Sequence, residues 1–321
     1  MQTLLEMLAA RETVSGEEIS RTLGISRAAV WKRVEALRQE GWEIQSRGKL
    51  GYCLKAGDRI DPLLWLPRLQ TEVLGHGWVH YARETASTNA DMKRLAMEGA
   101  PGGSLCLCET QTAGRGRIGR QWVSPPEVGL WQSLLVRPKL HPQNASLVTF
   151  CAALAMADAV EEACGLQPLV KWPNDLVLGG RKICGILLEA SVEMEAVDYI
   201  VVGVGLNVRR GSVPPELAAQ AACLEDFAPP PLRRLVLVNY LRAMENYLQR
   251  AETAGWEGLS ESYAKKSCTL GQRVRVSGAQ EFTGVAEAVD GQGALLVRDE
   301  AGNIRRVMAG DVSVRGVMGY A

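Results

Sequence analysis

The sequence predicts an α/β (α+β) chain of three parts, and three changes of texture along its 321 residues carry that prediction. From Met1 to about Gly57, short helical patterns are followed by an alternating segment, which Asp61 and Pro62 then break. From about Leu63 to Lys266, apolar β-branched runs alternate with helical ones. From Cys268 onward only short alternating runs remain, separated by turn residues. The domains expected are therefore 1–60, 61–266 and 267–321.

In the first part, Ser15 to Leu23 reads as a helix, Gly24 as a turn, and the residues after Ser26 as a second helix capped by that serine. Val30, Val34 and Leu37 recur at helical spacing and point to a core, which leaves Arg27, Lys32 and Arg33 on other faces. Trp42 to Leu54 then alternates around Arg47-Gly48-Lys49-Leu50-Gly51, as a β-hairpin with a basic tip does. Helix-turn-helix plus basic hairpin is a winged helix. Between Ile25 and Lys55 stand seven basic residues against three acidic ones, although the whole chain balances 36 Lys and Arg with 36 Asp and Glu. A neutral total excludes coating nucleic acid by bulk charge; a local basic face does not. The residues expected to meet DNA are Ser26, Arg27, Lys32, Arg33, Arg47 and Lys49, with base edges read from the helix and phosphates from the wing. Because one such motif reads one half-site, specific binding implies a dimer. A protein-contact role for the same motif is the alternative.

In the middle part, Leu169 to Trp172, Ile183 to Glu189 and Tyr199 to Val204 read as strands, and Ala90 to Met97, Ser146 to Cys164 and Leu232 to Arg250 as helices. A Pro-rich stretch, Phe227 to Pro231, precedes the last helix. The loop Gly114-Arg115-Gly116-Arg117-Ile118-Gly119 satisfies the dinucleotide pattern GxGxxG, but Arg120-Gln121-Trp122-Val123-Ser124-Pro125-Pro126 is a poor helix start. Its interleaved glycines and arginines suit an anion for another reason: the backbone wraps closely while guanidiniums donate in pairs. Lys171, in Lys171-Trp172-Pro173-Asn174-Asp175, and Lys182, entering the next apolar run after a Gly179-Gly180 hairpin turn, would be costly in the body without an anion. Glycines in Gly203-Val204-Gly205-Leu206-Asn207 mark a close approach by ligand or backbone. Ser87-Thr88-Asn89 supplies a cap for the helix from Ala90 and surplus polar groups for a ligand.

In the last part, Arg273 to Val276, Thr283 to Ala288, Ala294 to Arg298, Ile304 to Met308 and Val312 to Arg315 alternate, with turns at Asp290-Gly291 and Ala301-Gly302-Asn303. They describe a small β-barrel.

Composition narrows the chemistry. The eight cysteines include no pair of CxxC motifs, and only Cys106 and Cys108 lie close together, on one face of the expected strand Ser104 to Cys108. Free buried thiols in a reducing cytoplasm are expected, with no structural zinc. The three histidines stand in no nucleophile-elbow or HExxH context, which removes hydrolytic triads and zincin sites. The first residues, MQTLLEMLAARE, lack the pattern of a secretion signal, and the apolar stretch Ala145 to Ala157 is shorter than the roughly 20 residues of a membrane span.

Taken together, the residues resemble the biotin protein ligase family, in the bifunctional form that carries a winged helix and acts as biotin operon repressor. Gly114 to Trp122 matches that family's GRGRxGRxW loop, Lys171-Trp172-Pro173-Asn174-Asp175 its KWPND, and Lys182-Ile183-Cys184-Gly185-Ile186-Leu187 its KxxGIL. The resemblance implies a class II synthetase-like mixed-sheet catalytic domain and an SH3-like C-terminal barrel. It implies biotin contacts at Ser87, Thr88, Asn89, Gln111, Arg115, Gly116, Arg117 and Lys182, and it adds Gly114, Trp122 and Gly185 through the matched motifs. Gly203, Gly205 and Asn207 match a GxGxN strand, and Arg315 matches an arginine that approaches the adenylate. The implied substrates are biotin and ATP with Mg²⁺, and the implied partners a biotin carboxyl carrier protein and operator DNA, with a homodimer forming on adenylate or DNA binding. Arg115, Arg117 and Lys182 would neutralise carboxylate and phosphate, while Asn174 or Asp175 would organise metal or nucleotide beside Lys171. Leu50 departs from the family's usual wing ending, GKGY. Two other readings compete: a lipoate or octanoate ligase, and a DNA-binding biotin sensor without transfer activity.

Overall fold

The computed structural model describes residues 3–55, 57–193, 196–278, 281–308 and 313–316, with backbone alone for 192–193 and 313–316. The chain divides into two compact units, Met1–Arg68 and Leu69–Ala321.

In the first unit, α1 (Leu4–Ala10), α2 (Gly16–Leu23) and α3 (Arg27–Gln39) precede a hairpin of β1 (Glu43–Ser46) and β2 (Tyr52–Lys55). Each helix begins on a hydroxyl that accepts from an otherwise orphaned N–H: Thr3 from Glu6, Ser15 from Glu18, Ser26 from Ala29. Gly24, at φ +63, ends α2 as a left-handed cap. Leu4, Met7, Leu8, Ile19, Val30, Val34, Trp42 and Ile44 bury the apolar stripes of all three helices and one face of the hairpin. Gly51 must be glycine, because its φ is +106 and a Cβ there would stand 2.1 Å from the Val14 carbonyl oxygen. The wing is thus seated on the segment that Val14 bridges to Tyr52.

The second unit is built on a seven-stranded mixed sheet. Its elements in chain order are β3 (Val79–Thr85), α4 (Thr88–Met97), β4 (Leu105–Gln111), β5 (Gly129–Val136), α5 (Leu147–Cys164), β6 (Leu169–Lys171), β7 (Asp175–Leu178), β8 (Arg181–Glu193), β9 (Ala196–Asn207), α6 (Arg233–Ala254) and α7 (Glu257–Lys266). The strand order is β3-β4-β5-β9-β8-β7-β6, with only β3 and β4 parallel. α4 packs Met92 and Ala96 on Cys106, Leu135 and Val201. Neighbouring strand residues face opposite sides, so Gln132 turns the other way, toward Tyr240 of α6. α5 and α6 pack together there. Helix α5 is apolar and buried over most of its first three turns, as a helix under a sheet must be, and turns charged only at Asp158, Glu161 and Glu162; no described helix is long and apolar enough to cross a membrane. Arg233, fully buried at the start of α6, donates to Glu109 (2.7 Å) and to the Gly129 carbonyl (3.0 Å). That bond network ties α6 to β4 and β5.

The unit ends in a five-stranded antiparallel sheet of β10 (Arg273–Ser277), β11 (Phe282–Val289), β12 (Leu295–Asp299), β13 (Ile304–Val307) and β14 (Ser313–Gly316), ordered β13-β12-β11-β10-β14. Val312, expected in the last strand, lies outside the described residues. Trp172 anchors this sheet to the larger one, donating from Nε1 to the Gly293 carbonyl at 3.1 Å and from its backbone N–H to the Thr269 hydroxyl oxygen at 2.9 Å.

One expectation changes. The helix expected from Ala90 starts at Thr88, and Ser87 occupies the cap position without a side-chain capping bond. Thr88 and Asn89 belong to the first turn and bond inward instead.

Candidate functional site

Where β9 runs between β5 and β8, a cavity of about 280 Å³ opens toward the Gly-Arg loop. Ser87, Thr88, Asn89 and Gln111 form one end. Thr88 donates its N–H to Gln111 Oε1 (3.0 Å), and Gln111 Nε2 donates to Ser124 (2.8 Å). Asn89 Oδ1 accepts from the Ser133 hydroxyl at 2.6 Å, and its Nδ2 donates to Glu189 at 2.8 Å. Lys93 pairs with the same carboxylate. The amide is therefore held at both ends, lying on Gly203, where a Cβ would meet Asn89 Oδ1 at 2.2 Å.

The other end is cationic. Lys182, at the start of β8, lies 2.6 Å from Asp175 and 5.2 Å above the Trp122 ring. The two residues meet because β7 and β8 form a hairpin through Gly179 and Gly180, both at positive φ. Lys171 is 6% exposed and lines the same space. Trp122 edges onto Trp131 (ring centroids 6.3 Å apart) and stands over Gly205, where a Cβ would meet its Nε1 at 2.4 Å. That Nε1 is buried with no hydrogen-bond partner among the described residues, so it is a donor available to a ligand. The loop itself is a clasp and not a helix start: Gly116 bonds Arg120 (2.7 Å), Trp122 bonds Gly114 (2.9 Å), and Arg115 bridges to Gln121. Arg117 donates to Asn174 at 3.0 Å. Burial pulls its pKa below the ordinary guanidinium value, opposed by the negative charge of Asp175.

The cavity thus gathers Ser87, Thr88, Asn89, Gln111, Arg115, Gly116, Arg117, Trp122, Lys171, Asn174, Asp175, Lys182, Gly185, Gly203, Gly205 and Asn207. Gly114 stands behind it, its Cβ position blocked by the Trp122 carbonyl at 2.3 Å. Arg315 lies on β14 opposite Arg275, where its side chain is outside the described residues. Asn207 donates to the Ala222 carbonyl (3.1 Å) and so holds the segment after β9, whose Ser212, Leu217 and Gln220 also line the cavity. Sequence reasoning missed that segment, together with Ser133 and Glu189; Glu189 is the one with a signal, as a charge closing an apolar run. Asp175 is the only carboxylate among the described lining residues. No cluster of three metal-ligating side chains occurs among the described residues. Burial pushes Cys106 and Cys108 up to about 12, which leaves no thiolate there.

In the first unit, Ser26 is committed to its cap. Arg27 pairs with Glu17 (3.2 Å) and Arg47 with Glu12 (3.5 Å), both solvent-exposed pairs that a phosphate can displace at little cost. Lys32, Arg33 and Lys49 are exposed. Trp31, not singled out from the sequence, is 56% exposed on α3 between them and Arg27.

Residues 81–207 match the Biotin/lipoate A/B protein ligase family, 1–53 an HTH domain, and 269–315 the Biotin protein ligase C terminal domain. The bifunctional ligase/repressor BirA of Bacillus subtilis (strain 168) is 34% identical over 311 residues, covering 95% of each chain. The chain belongs to the biotin protein ligase family. The ligase/repressor BirA of Escherichia coli (strain K12) is 32% identical over 317 residues, 97% of this chain and 96% of that one. Among solved structures, the biotin protein ligase from Aquifex aeolicus in complex with biotin and ATP superimposes with a TM-score of 0.66 at 26% identity, covering 74% of this chain and 99% of that chain. The ligase family's fold therefore extends across the cavity and the C-terminal sheet.

Proposed function

We propose that the chain is an ATP-dependent biotin protein ligase that makes biotinyl-5'-AMP and transfers biotin to a lysine of the biotin carboxyl carrier protein of acetyl-CoA carboxylase, and that its first unit binds operator DNA as a biotin-responsive repressor. The observation that carries the reading is the convergence of Arg117, Lys171 and Lys182 on a cavity with one carboxylate and a glycine floor. In the first step a biotin carboxylate oxygen attacks the α-phosphorus of ATP, and pyrophosphate leaves. Two anions must meet, and the cavity's cations lower that repulsion without a protein nucleophile. Lys182 carries three donors, so it keeps Asp175 and still reaches the forming anhydride. In the second step the carrier's lysine amine attacks the anhydride carbonyl and AMP leaves. Ser87, Thr88, Asn89, Gln111, Arg115 and Gly116 hold the biotin head; Gly203 admits its chain; Gly205, Trp122, Lys171, Gly185 and Asn207 bound the nucleotide side, and Arg315 is assigned to the adenylate by the family resemblance alone. Mg²⁺ fits as a nucleotide-borne ion, since such ions need only one or two carboxylates and Asp175 is the one present; it would add charge neutralisation at the phosphates. Closure of the Gly-Arg loop keeps water from the anhydride. Homodimer formation on adenylate or DNA binding, a cytoplasmic setting and domain limits at 60 and 266 belong to the same proposal.

Exchange of labelled pyrophosphate into ATP, with biotin, lipoate and octanoate offered separately, tests it. Exchange with biotin alone is expected. Exchange with lipoate or octanoate instead would reassign the substrate, and none with any acid would remove the enzyme.

A further inference from the structure

Asn174 sits in the turn between β6 and β7, and its bonds differ from those of a group that holds metal or nucleotide. Its Oδ1 accepts from Arg117 Nη1 at 3.0 Å. Its Nδ2 donates to the Ile186 carbonyl at 2.6 Å, and its own carbonyl accepts the Ile186 N–H at 3.0 Å. One side chain therefore ties the Gly-Arg loop to β8, the strand that carries Lys182. Only a carboxamide of this length does so: a carboxylate there could accept from Arg117 but would face the Ile186 carbonyl with no donor. Arg117 is partly buried, where its charge is disfavoured and the nearby Asp175 charge opposes that effect, and the Asn174 amide adds a fixed acceptor that keeps the guanidinium aimed.

We propose that Asn174 is a positioning residue, a latch that holds Arg117 over the cavity and keeps the Gly-Arg loop closed on the acyl-adenylate, and that it binds neither metal nor nucleotide. The inference rests on the ligase reading only for the identity of the ligand; the bonds of Asn174 do not depend on it.

Two measurements on the full chain separate the two. In the ligand-free protein, trypsin cleavage after Arg115 and Arg120 should be faster by about tenfold in Asn174→Ala, and by as much in Arg117→Met, which opens the same bond from the other side. Equal cleavage in both variants and the unaltered chain would overturn the latch whatever the chain catalyses. With biotin and ATP, release of preformed adenylate should rise about tenfold in Asn174→Ala, with the KM for ATP and the Mg²⁺ requirement shifted less than about twofold. The double variant should release no faster than Arg117→Met alone. A tenfold rise in the KM for ATP or in the Mg²⁺ requirement, or additive effects on release, would overturn the assignment. Should Asn174→Ala fold poorly, Asn174→Asp, which keeps the length and loses the donor to the Ile186 carbonyl, is read by the same cleavage, and cleavage no faster than in the unaltered chain would overturn the latch. A chain that makes no adenylate but shows the cleavage difference would keep the latch and remove the ligase.

Discussion

Replacing Gly203 by alanine separates the two ends of the cavity more cleanly than removing any charged group. The added Cβ would stand 2.2 Å from Asn89 Oδ1 and 2.9 Å from its Cγ, where ordinary contact begins at 3.4 Å. The amide must therefore retreat by about 1 Å, and it cannot do so while bonded to Ser133 at 2.6 Å and Glu189 at 2.8 Å. Loss of both bonds, one of them to a charged group, is worth about 2 to 4 kcal/mol. Some of that appears as lost stability and the rest at the biotin head. The KM for biotin in pyrophosphate exchange should rise at least about tenfold while the KM for ATP changes little. Gly205→Ala, two residues along the same strand, meets Trp122 instead, at 2.4 Å from Nε1. It should disturb the ATP and adenylate side and spare biotin. If Gly203→Ala keeps the unaltered biotin dependence, or if both variants raise the same KM, the division of the cavity is wrong.

Arg117→Gly should release biotinyl-AMP about ten- to a hundredfold faster, as the loss of one charge-assisted contact implies; unchanged retention of the adenylate in a filter assay would sink that role. Arg233→Met leaves Glu109 buried without its guanidinium and should cost about 3 to 5 kcal/mol, seen as a drop of roughly 10 °C in Tm; an unshifted Tm would show that the pair is not a stabilising tie. For the thiols, the folded pKa values of about 12 lie above the unfolded value of 9.0, so the folded state holds more protons between them. The thiols' contribution to stability should be flat below pH 9 and fall as pH rises beyond it. Replacing Cys106 and Cys108 with alanine should flatten that fall in pH-dependent melting, and an unchanged slope would place the effect elsewhere.

Periodicity was enough for α5, α6, β8 and β9, because apolar burial imposes its own spacing on the chain. The Gly-Arg loop was readable as an anion clasp for a local reason too: the residues after Gly119 do not start a helix, and in the structure they return to bond Gly114 and Gly116. The bonds that set the site were not readable. Asn89 meets Ser133 at a separation of 44 residues and Glu189 at 100, and Arg117 meets Asn174 at 57. No local pattern carries such partners. The pairing of Lys182 with Asp175 is nearer, across a hairpin, but the register shift between Leu176 and Val177 decides which side chains face each other there. The segment holding Ser212 to Ala221 is irregular and lacks apolar spacing, and it is tied to the sheet by the backbone of Lys182 and by the Asn207 amide at Ala222.

The central claim is transfer, and the most direct measurement is the mass of a purified biotin carboxyl carrier domain incubated with the chain, ATP, Mg²⁺ and an equimolar mixture of biotin, lipoate and octanoate. One biotinyl group on one carrier lysine, abolished when that lysine is replaced by arginine and lost on omission of ATP, is the predicted result. An unmodified carrier, or one carrying lipoyl or octanoyl in place of biotin, would contradict the account.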